Sequence, residues 1–304
     1  MKNFFIQIFK LLLICYLIFW LLDEGFTYVF QKGNYTKIQW LDKISNQQFD
    51  FAVHGNSRAY TSLDLKMIED KTKKKGINIS VDGSSITDQY LMLKLFILKN
   101  NKIKKLYLQI DPFSSNTEEI FDFAVPKFFP YLKEPVVFDH FKQFGPEWYA
   151  YRYIPFYRYA KYNTLWGIHE VINDGFNLLP QDFDSYGDFF YPEVHYKGPA
   201  KLRDLTFDLK GNYKFLNEII ALCKANNIEL ILFTAPVADI KIDQGYKQNI
   251  VEFTRQMQKD KGVEYLNFGD IYKHDPAFFY NEIHINRKGA EDFTNRMVPI
   301  FARK

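Results

Sequence analysis

Residues 49–60 read Phe49-Asp50-Phe51-Ala52-Val53-His54-Gly55-Asn56-Ser57-Arg58-Ala59-Tyr60. The apolar first half predicts a β-strand over 49–54, and Gly55 permits a tight turn after it. Thr61-Ser62-Leu63-Asp64, a hydroxyl followed three residues later by a carboxylate, predicts a helix start. A serine between a strand and a helix lies at the carboxyl end of the strand, where α/β folds place their sites. Ser57 is therefore a candidate nucleophile, although Gly-Asn-Ser also occurs in ordinary turns.

A second motif lies near the other end of the chain and reads Phe279-Tyr280-Asn281-Glu282-Ile283-His284-Ile285-Asn286-Arg287-Lys288-Gly289-Ala290. Taken with Gly55-Asn56-Ser57, it resembles the SGNH/GDSL hydrolase superfamily over roughly residues 48–115 and 212–304. That resemblance implies that Ser57 is the nucleophile and His284 its general base. It also implies that the backbone N–H groups of Ser57 and Gly83 form the oxyanion hole, and that no cofactor or metal is needed.

Two positions depart from the family pattern. After the third predicted strand stands Gln109-Ile110-Asp111-Pro112 in place of an asparagine-bearing motif, and Asn281 stands where the family has an aspartate. This variant looks like the membrane-anchored branch with DltD-like and alginate O-acetylation proteins, which work beside membrane-bound O-acyltransferases. We expect Asn281, or else Glu282, to support His284, and Asp111 to pair with Arg58.

The resemblance implies an extracytoplasmic serine esterase or O-acyltransferase acting on acyl esters of a cell-envelope or secreted glycan, with a membrane-bound O-acyltransferase as partner. One alternative is a catalytically degenerate member that binds a glycan or assists an acyltransferase. Another is a structural membrane protein in which the motif matches are chance.

The composition argues against a nucleic-acid-binding protein, a disulfide-stabilised fold and a metal site. A net charge of +3 is too small to indicate a nucleic-acid partner. The two cysteines, Cys15 and Cys223, imply no disulfide framework. The six histidines are scattered without metal-ligand spacing.

Residues 4–22 form a nearly continuous apolar run of the length that one membrane-spanning helix needs. Lys2 precedes it, and Asp23 and Glu24 follow, so the positive-inside rule predicts a cytoplasmic N-terminus and an extracytoplasmic main domain. A cleaved signal peptide and a buried helix are the alternatives. The predicted organisation is a membrane anchor over 1–34 and one domain over 35–304.

Strands alternate with helices in the rest of the chain, apart from one long segment. The predicted strands are 49–54, 77–81, 104–110, 228–234 and 263–267, and the predicted helices are 62–75, 87–101, 213–227, 246–261 and 288–301. Alternation of this kind predicts right-handed crossovers. The expected fold is a three-layer α/β/α sandwich with a five-stranded, mostly parallel sheet.

The exception is an aromatic-rich segment at about 113–211, which shows no clean period. Because a structureless loop of this length is improbable in a compact domain, we expect an inserted cap over the carboxyl end of the sheet. Its aromatic residues have three open interpretations: the core of the cap, a groove for a sugar or acyl group, or a membrane interface.

Overall fold

The structure is a computed structural model and describes residues 1–111, 120, 123–162, 167–194, 196–198, 213–238, 244–273 and 275–303. It divides into two compact units. The sheet unit comprises Ile44–Ala124 and Asp182–Lys304, and the helical unit comprises Met1–Lys43 and Val125–Gln181.

The sheet unit is built on five parallel strands, which confirms the predicted fold class. The strands are β1 Gln48–His54, β2 Gly76–Asn78, β3 Lys102–Gln109, β4 Glu229–Thr234 and β5 Glu264–Asn267. Their order in the sheet is β2-β1-β3-β4-β5. The order reverses between β1 and β3, and such a reversal opens a crevice at the carboxyl ends of those two strands.

The α-helices are α1 Lys2–Lys32, α2 Lys37–Asp42, α3 Ser57–Ser62, α4 Leu65–Thr72, α5 Ile86–Leu98, α6 Pro135–Phe141, α7 Glu147–Tyr153, α8 Tyr157–Lys161, α9 Ile168–Gly175, α10 Lys214–Ala225, α11 Gln244–Gln256 and α12 Arg287–Phe301. Short 3-10 helices cover Val125–Tyr131, Lys142–Phe144 and Pro276–Phe278, and a π-helical turn covers Met257–Lys261.

Helices cover both faces of the sheet, as burial of a parallel sheet requires. On one face, Phe51 and Tyr107 pack against Phe301 of α12. The centroid of the Phe301 ring lies 4.7 Å from that of Phe51 and 4.0 Å from that of Tyr107. Because side chains alternate along a strand, neighbouring residues of the strands point to the other face. There α5 and α10 meet through Tyr90 and Phe215, whose centroids lie 5.9 Å apart.

The helix after β1 differs from its predicted form. The predicted helix over 62–75 is replaced by two, α3 and α4, separated by Leu63 in an extended conformation. Asn56 caps the first, and Asp64 caps the second by accepting the Met67 N–H at 2.8 Å. Each cap satisfies a backbone donor at a helix start, so the chain restarts its helix at Asp64 and α3 begins directly at Ser57.

The helical unit contains α1, the N-terminal apolar helix. Its residues 2–22 are exposed, and their length and hydropathy are those of a helix able to cross a membrane. The remainder of α1 packs within the unit, where Asp23, Thr27 and Phe30 are buried. The boundary drawn at residues 34 and 35 stays a prediction.

The segment predicted as an inserted cap, about 113–211, contributes to both units. Of its described residues, 125–162 and 167–181 belong to the helical unit, and 120, 123–124, 182–194 and 196–198 belong to the sheet unit. Residues 112–119, 121–122, 163–166, 195 and 199–212 lie outside the described part of the chain. That the segment acts as a cap stays a prediction.

Candidate active site

Ser57 is the first residue of α3, directly after the turn that ends β1. Gly55 in this turn has φ +151°, and a Cβ there would lie 2.9 Å from the Cβ of Gln109. Glycine avoids this collision because it has no side chain. The Asn56 Oδ1 accepts the Arg58 N–H at 2.9 Å and so caps the helix. Gly55 and Asn56 together present Ser57 at the carboxyl edge of the sheet.

His284 lies in the loop that joins β5 to α12. Asn286 closes this loop, since its Oδ1 accepts the Gly289 N–H at 2.9 Å and its Nδ2 donates to the Ala277 carbonyl at 2.8 Å. A Cβ at Gly289 would lie 2.3 Å from the Phe278 carbonyl oxygen. Asn286 and Gly289 of the C-terminal motif therefore allow the loop to approach the start of α12 closely.

The structure brings Ser57, His284 and Asn281 together. The Ser57 Oγ lies 2.8 Å from His284 Nε2, and His284 Nδ1 lies 3.1 Å from Asn281 Oδ1. The Asn281 oxygen also accepts the backbone N–H groups of Ile283 at 3.1 Å and His284 at 3.0 Å. Because only the amide oxygen can accept these bonds, Nδ1 of His284 carries the ring proton. Nε2 is then free to accept the hydrogen of the Ser57 hydroxyl.

The His284 ring is held in its neutral form. Burial, together with the positive charge of Arg58, lowers the pKa of His284 to about 4. At neutral pH the imidazole is therefore unprotonated, which is the state that a general base needs. Asn281 orients the ring but supplies no negative charge, so the imidazolium formed by proton transfer is weakly stabilised. A ring with this orientation and this low pKa has the properties of a weak general base.

The Arg58 guanidinium is buried and forms an ion pair with Asp111, which confirms the predicted pairing. Arg58 also donates to the Ala235 carbonyl. Burial lowers the pKa of Arg58 to about 9, so the group keeps its charge at neutral pH. Asp111 accepts in addition from the Asn56 Nδ2 at 3.3 Å. The ion pair thus holds both neighbours of Ser57 in place, at the carboxyl ends of β1 and β3.

Gly83, the second predicted oxyanion donor, lies in the turn after β2. The Val81 N–H and the Ser84 hydroxyl each donate to the Gly55 carbonyl at 3.2 Å, so this turn lies beside the one that carries Ser57. Gly83 has φ +66°, a left-handed conformation that favours glycine. Neither the Ser57 nor the Gly83 N–H has an acceptor among the described residues. That these two N–H groups form an oxyanion hole stays a prediction.

Glu282, the alternative support for His284, and His54, the histidine nearest to Ser57 in the sequence, take other positions. Glu282 is not the residue bonded to His284 Nδ1, because Asn281 occupies that position. His54 is fully buried in β1 and donates from Nε2 to the Gln89 carbonyl at 2.8 Å, which marks it as structural. Within the ranges that the structure describes, no group of three His, Cys, Asp or Glu side chains is placed to hold a metal ion.

Sequence reasoning did not single out Tyr191 as a site residue. Its ring stacks on Tyr280 with centroids 4.2 Å apart and an interplanar angle of 8°, and lies 5.2 Å from the His284 ring. Its carbonyl accepts the Arg287 N–H at 2.9 Å. Tyr191 therefore holds the His284 loop at both ends. The only signal in the sequence was the aromatic run Phe189-Phe190-Tyr191-Pro192, and its partners lie too far along the chain for any spacing rule.

Comparisons with known proteins do not identify a family for this chain. No protein-family model matches the chain, and no curated protein matches it at a significant level. Among solved structures, a "putative acylhydrolase" from Bacteroides fragilis aligns at 8% identity, covering 86% of this chain and 90% of that one with a TM-score of 0.36. An active-site mutant of a family two carbohydrate esterase from Clostridium thermocellum aligns at 9% identity, covering 85% and 64% with a TM-score of 0.33. At these values neither likeness carries an argument.

Proposed function

We propose that this protein is a membrane-anchored serine esterase or O-acyltransferase acting on acyl esters of an extracytoplasmic glycan. The observation that carries the proposal is the chain of hydrogen bonds from Ser57 Oγ to His284 Nε2 and from His284 Nδ1 to Asn281 Oδ1. A serine hydroxyl bonded to a base, with the base oriented by a third group, is the arrangement that nucleophilic catalysis needs. The resemblance of both motifs to SGNH hydrolases supports the ester and glycan part.

The geometry supports the following steps. Ser57 Oγ attacks the ester carbonyl carbon while its proton passes to His284 Nε2. The Ser57 and Gly83 N–H groups stabilise the oxyanion of the tetrahedral intermediate, a contribution of about 3 kcal/mol for each donor in other enzymes. Collapse of the intermediate breaks the ester C–O bond, and His284 returns its proton to the leaving alcohol. Water or a second alcohol then attacks the acyl-serine, which gives hydrolysis or transfer.

Asn281→Asp tests how His284 is supported. The carboxylate would stabilise the imidazolium and so raise the pKa of His284, and we expect turnover to rise about tenfold or more. In the unmodified protein His284 is protonated only as the pH falls through about 4, so kcat/KM should be flat above about pH 5. In the variant the acid limb should move to higher pH. The measurement is the pH profile of kcat/KM for 4-nitrophenyl acetate.

Asn281→Leu is the matched control, since it removes the oxygen without adding charge. We expect it to lower turnover, because Nδ1 loses the acceptor that fixes its tautomer. An acid limb at the same pH in the aspartate variant and the unmodified protein would show that position 281 does not contact the base during turnover.

The anchor is the second part of the proposal, and the packing of α1 supports it over a cleaved signal peptide. α1 continues without a break through Leu22 to Lys32. Its last third belongs to the core of the helical unit: Thr27 Oγ1 lies 2.8 Å from the Tyr159 hydroxyl, and Phe30 is 1% exposed. Cleavage directly after the apolar run would cut through this continuous helix and remove Phe19, whose ring lies 6.4 Å from that of Phe156. We therefore infer that α1 is retained and holds the chain at a membrane.

We also infer that the chain beyond about residue 35 lies outside the cytoplasm, which the charge asymmetry across residues 4–22 supports. Protease added to intact spheroplasts should then degrade the main part of the protein, while a cytoplasmic marker protein stays intact. Protection of the full-length band until the spheroplasts are lysed would reverse the assigned orientation. A membrane-bound O-acyltransferase is the partner that the resemblance implies, and co-purification from detergent extracts would test it.

A binding module without chemistry is the second candidate. Two observations favour it: the partner of His284 Nδ1 is an amide oxygen and not a carboxylate, and the pKa of His284 is low. A fluorophosphonate probe separates the two, because it labels only a serine whose proton a base can remove. Labelling that disappears in Ser57→Ala supports the enzyme. No labelling of the unmodified protein, in native membranes as well as after purification, supports the binding module.

A further inference from the structure

The apolar part of α1 ends at Leu22, although the helix itself does not. Residues 4–22 are exposed and long enough, at about 1.5 Å per residue, to cross a hydrocarbon core of about 30 Å. Asp23 is the first charged residue beyond them. When α1 spans a bilayer, the boundary between acyl chains and headgroups therefore falls close to Asp23.

At this same level, the turn between α7 and α8 packs against α1. The Phe156 N–H donates to the Asp23 carboxylate at 3.1 Å. The Phe156 ring lies 6.4 Å from the Phe19 ring and 4.9 Å from the Phe26 ring. Phe156 therefore touches α1 on both sides of Asp23, which places this turn at the predicted membrane boundary.

A buried ion pair between α1 and α8 fixes the turn at this position along α1. The Asp23 Oδ2 lies 2.9 Å from Arg158 Nη2 and 3.0 Å from Lys133 Nζ. The side chains of Asp23 and Arg158 are only 4% and 1% exposed. Arg158 donates also to the Thr27 hydroxyl at 3.0 Å, one turn further along α1. A buried carboxylate is tolerated only when it is paired. The ion pair of Asp23 with Arg158 therefore fixes the position of the turn along the axis of α1.

Four large side chains on and beside this turn are exposed, and we call them the aromatic collar. They are Tyr149 at 50%, Tyr153 at 64%, Ile154 at 53% and Tyr157 at 40% exposure. The rings of Tyr149 and Tyr153 stack with centroids 6.3 Å apart. Tyrosines concentrate at membrane–water interfaces, where the ring meets apolar material and the hydroxyl meets water.

We propose that the aromatic collar lies in the headgroup layer of the bilayer that α1 spans, so that the helical unit rests on the membrane surface. The occupant is lipid because the collar is continuous, through Phe156 and Phe19, with the exposed apolar surface of α1. The proposal rests on the anchor part of the proposed function and does not depend on the chemistry of Ser57. It assigns the aromatic residues of this turn to the membrane interface.

Bimane fluorescence of the full-length protein in lipid nanodiscs tests this directly. The background is Cys15→Ala; Cys223 is buried, which raises the pKa of its thiol to about 12 and keeps it unreactive. Bimane is attached in turn to Ile154→Cys, Tyr35→Cys and Leu12→Cys, and the lipids carry a spin-label quencher near the headgroup. We expect quenching at position 154 to exceed that at position 35 by about twofold or more.

Tyr35 is the matched control because it is a comparably exposed aromatic residue of the same unit, 45% exposed, just past the far end of α1. That end lies about 15 Å beyond Leu22 along the helix axis. Quenching at position 12 by a spin label deep in the acyl chains reports the anchor separately. Equal quenching at positions 154 and 35, with strong quenching at position 12, would overturn the proposal in favour of a protein partner for the collar. Absence of quenching at position 12 would overturn it together with the anchor.

Discussion

Ser57→Ala and His284→Ala should each reduce the turnover of an ester substrate by about 10⁴-fold or more, since groups that act as a unit fail together. The first change removes the attacking oxygen, and the second removes the acceptor of its proton, 2.8 Å away. For the same reason, the double variant should be no slower than either single one. The measurement is steady-state hydrolysis of 4-nitrophenyl acetate, supported by release of acetate from an O-acetylated polysaccharide.

Two controls match these changes. Ser62→Ala removes a buried hydroxyl from the same helix, where the Oγ has no hydrogen-bond partner among the described residues. His169→Ala removes an exposed imidazole of the helical unit. Both should leave turnover unchanged. Full activity of His284→Ala would show that another group is the base and that the C-terminal motif of this chain does not have the role that it has in SGNH hydrolases.

Asp111→Ala should have the largest effect on stability. Asp111 is the ion-pair partner of Arg58, whose side chain is 4% exposed, and removing it leaves a buried charge without its counter-ion. Loss of one partner of such a pair costs about 3–5 kcal/mol of the free energy of unfolding. The measurement is urea unfolding of the detergent-solubilised protein followed by circular dichroism.

Asp70→Ala provides the comparison, because Asp70 pairs with Lys66 across an exposed helix face at 2.8 Å. Because both side chains are solvated, loss of that pair should leave the free energy of unfolding almost unchanged. Replacing both members of the buried pair, as in Arg58→Met with Asp111→Leu, should cost less than Asp111→Ala alone, because no charge is then left buried. Equal unfolding midpoints for Asp111→Ala and Asp70→Ala would show that Arg58 is not buried as a charged group.

Much of the sheet unit could be predicted from local patterns. Each observed strand coincides with or overlaps a predicted one, because an apolar run bounded by turn residues leaves few other options. The break between α3 and α4 was missed, since two side-chain caps compete there and only packing decides where the helix starts. Tyr191 was missed because its contacts with Tyr280 and His284 join distant parts of the chain.

The sequence alone determined the residue types available for the chemistry, namely a serine after the first strand and a histidine before the last helix, and it determined the apolar length of α1. These are local properties, set by the composition and period of short segments. The tertiary structure decided the rest. It placed Ser57 within hydrogen-bond distance of His284, assigned the ring proton to Nδ1 through the Asn281 oxygen, and lowered the pKa of His284 by burial beside Arg58. It also showed that α1 continues past Leu22 into a buried pairing of Asp23 with Arg158. Distances, burial and charge pairing depend on residues far apart in the chain, so no local pattern contains them.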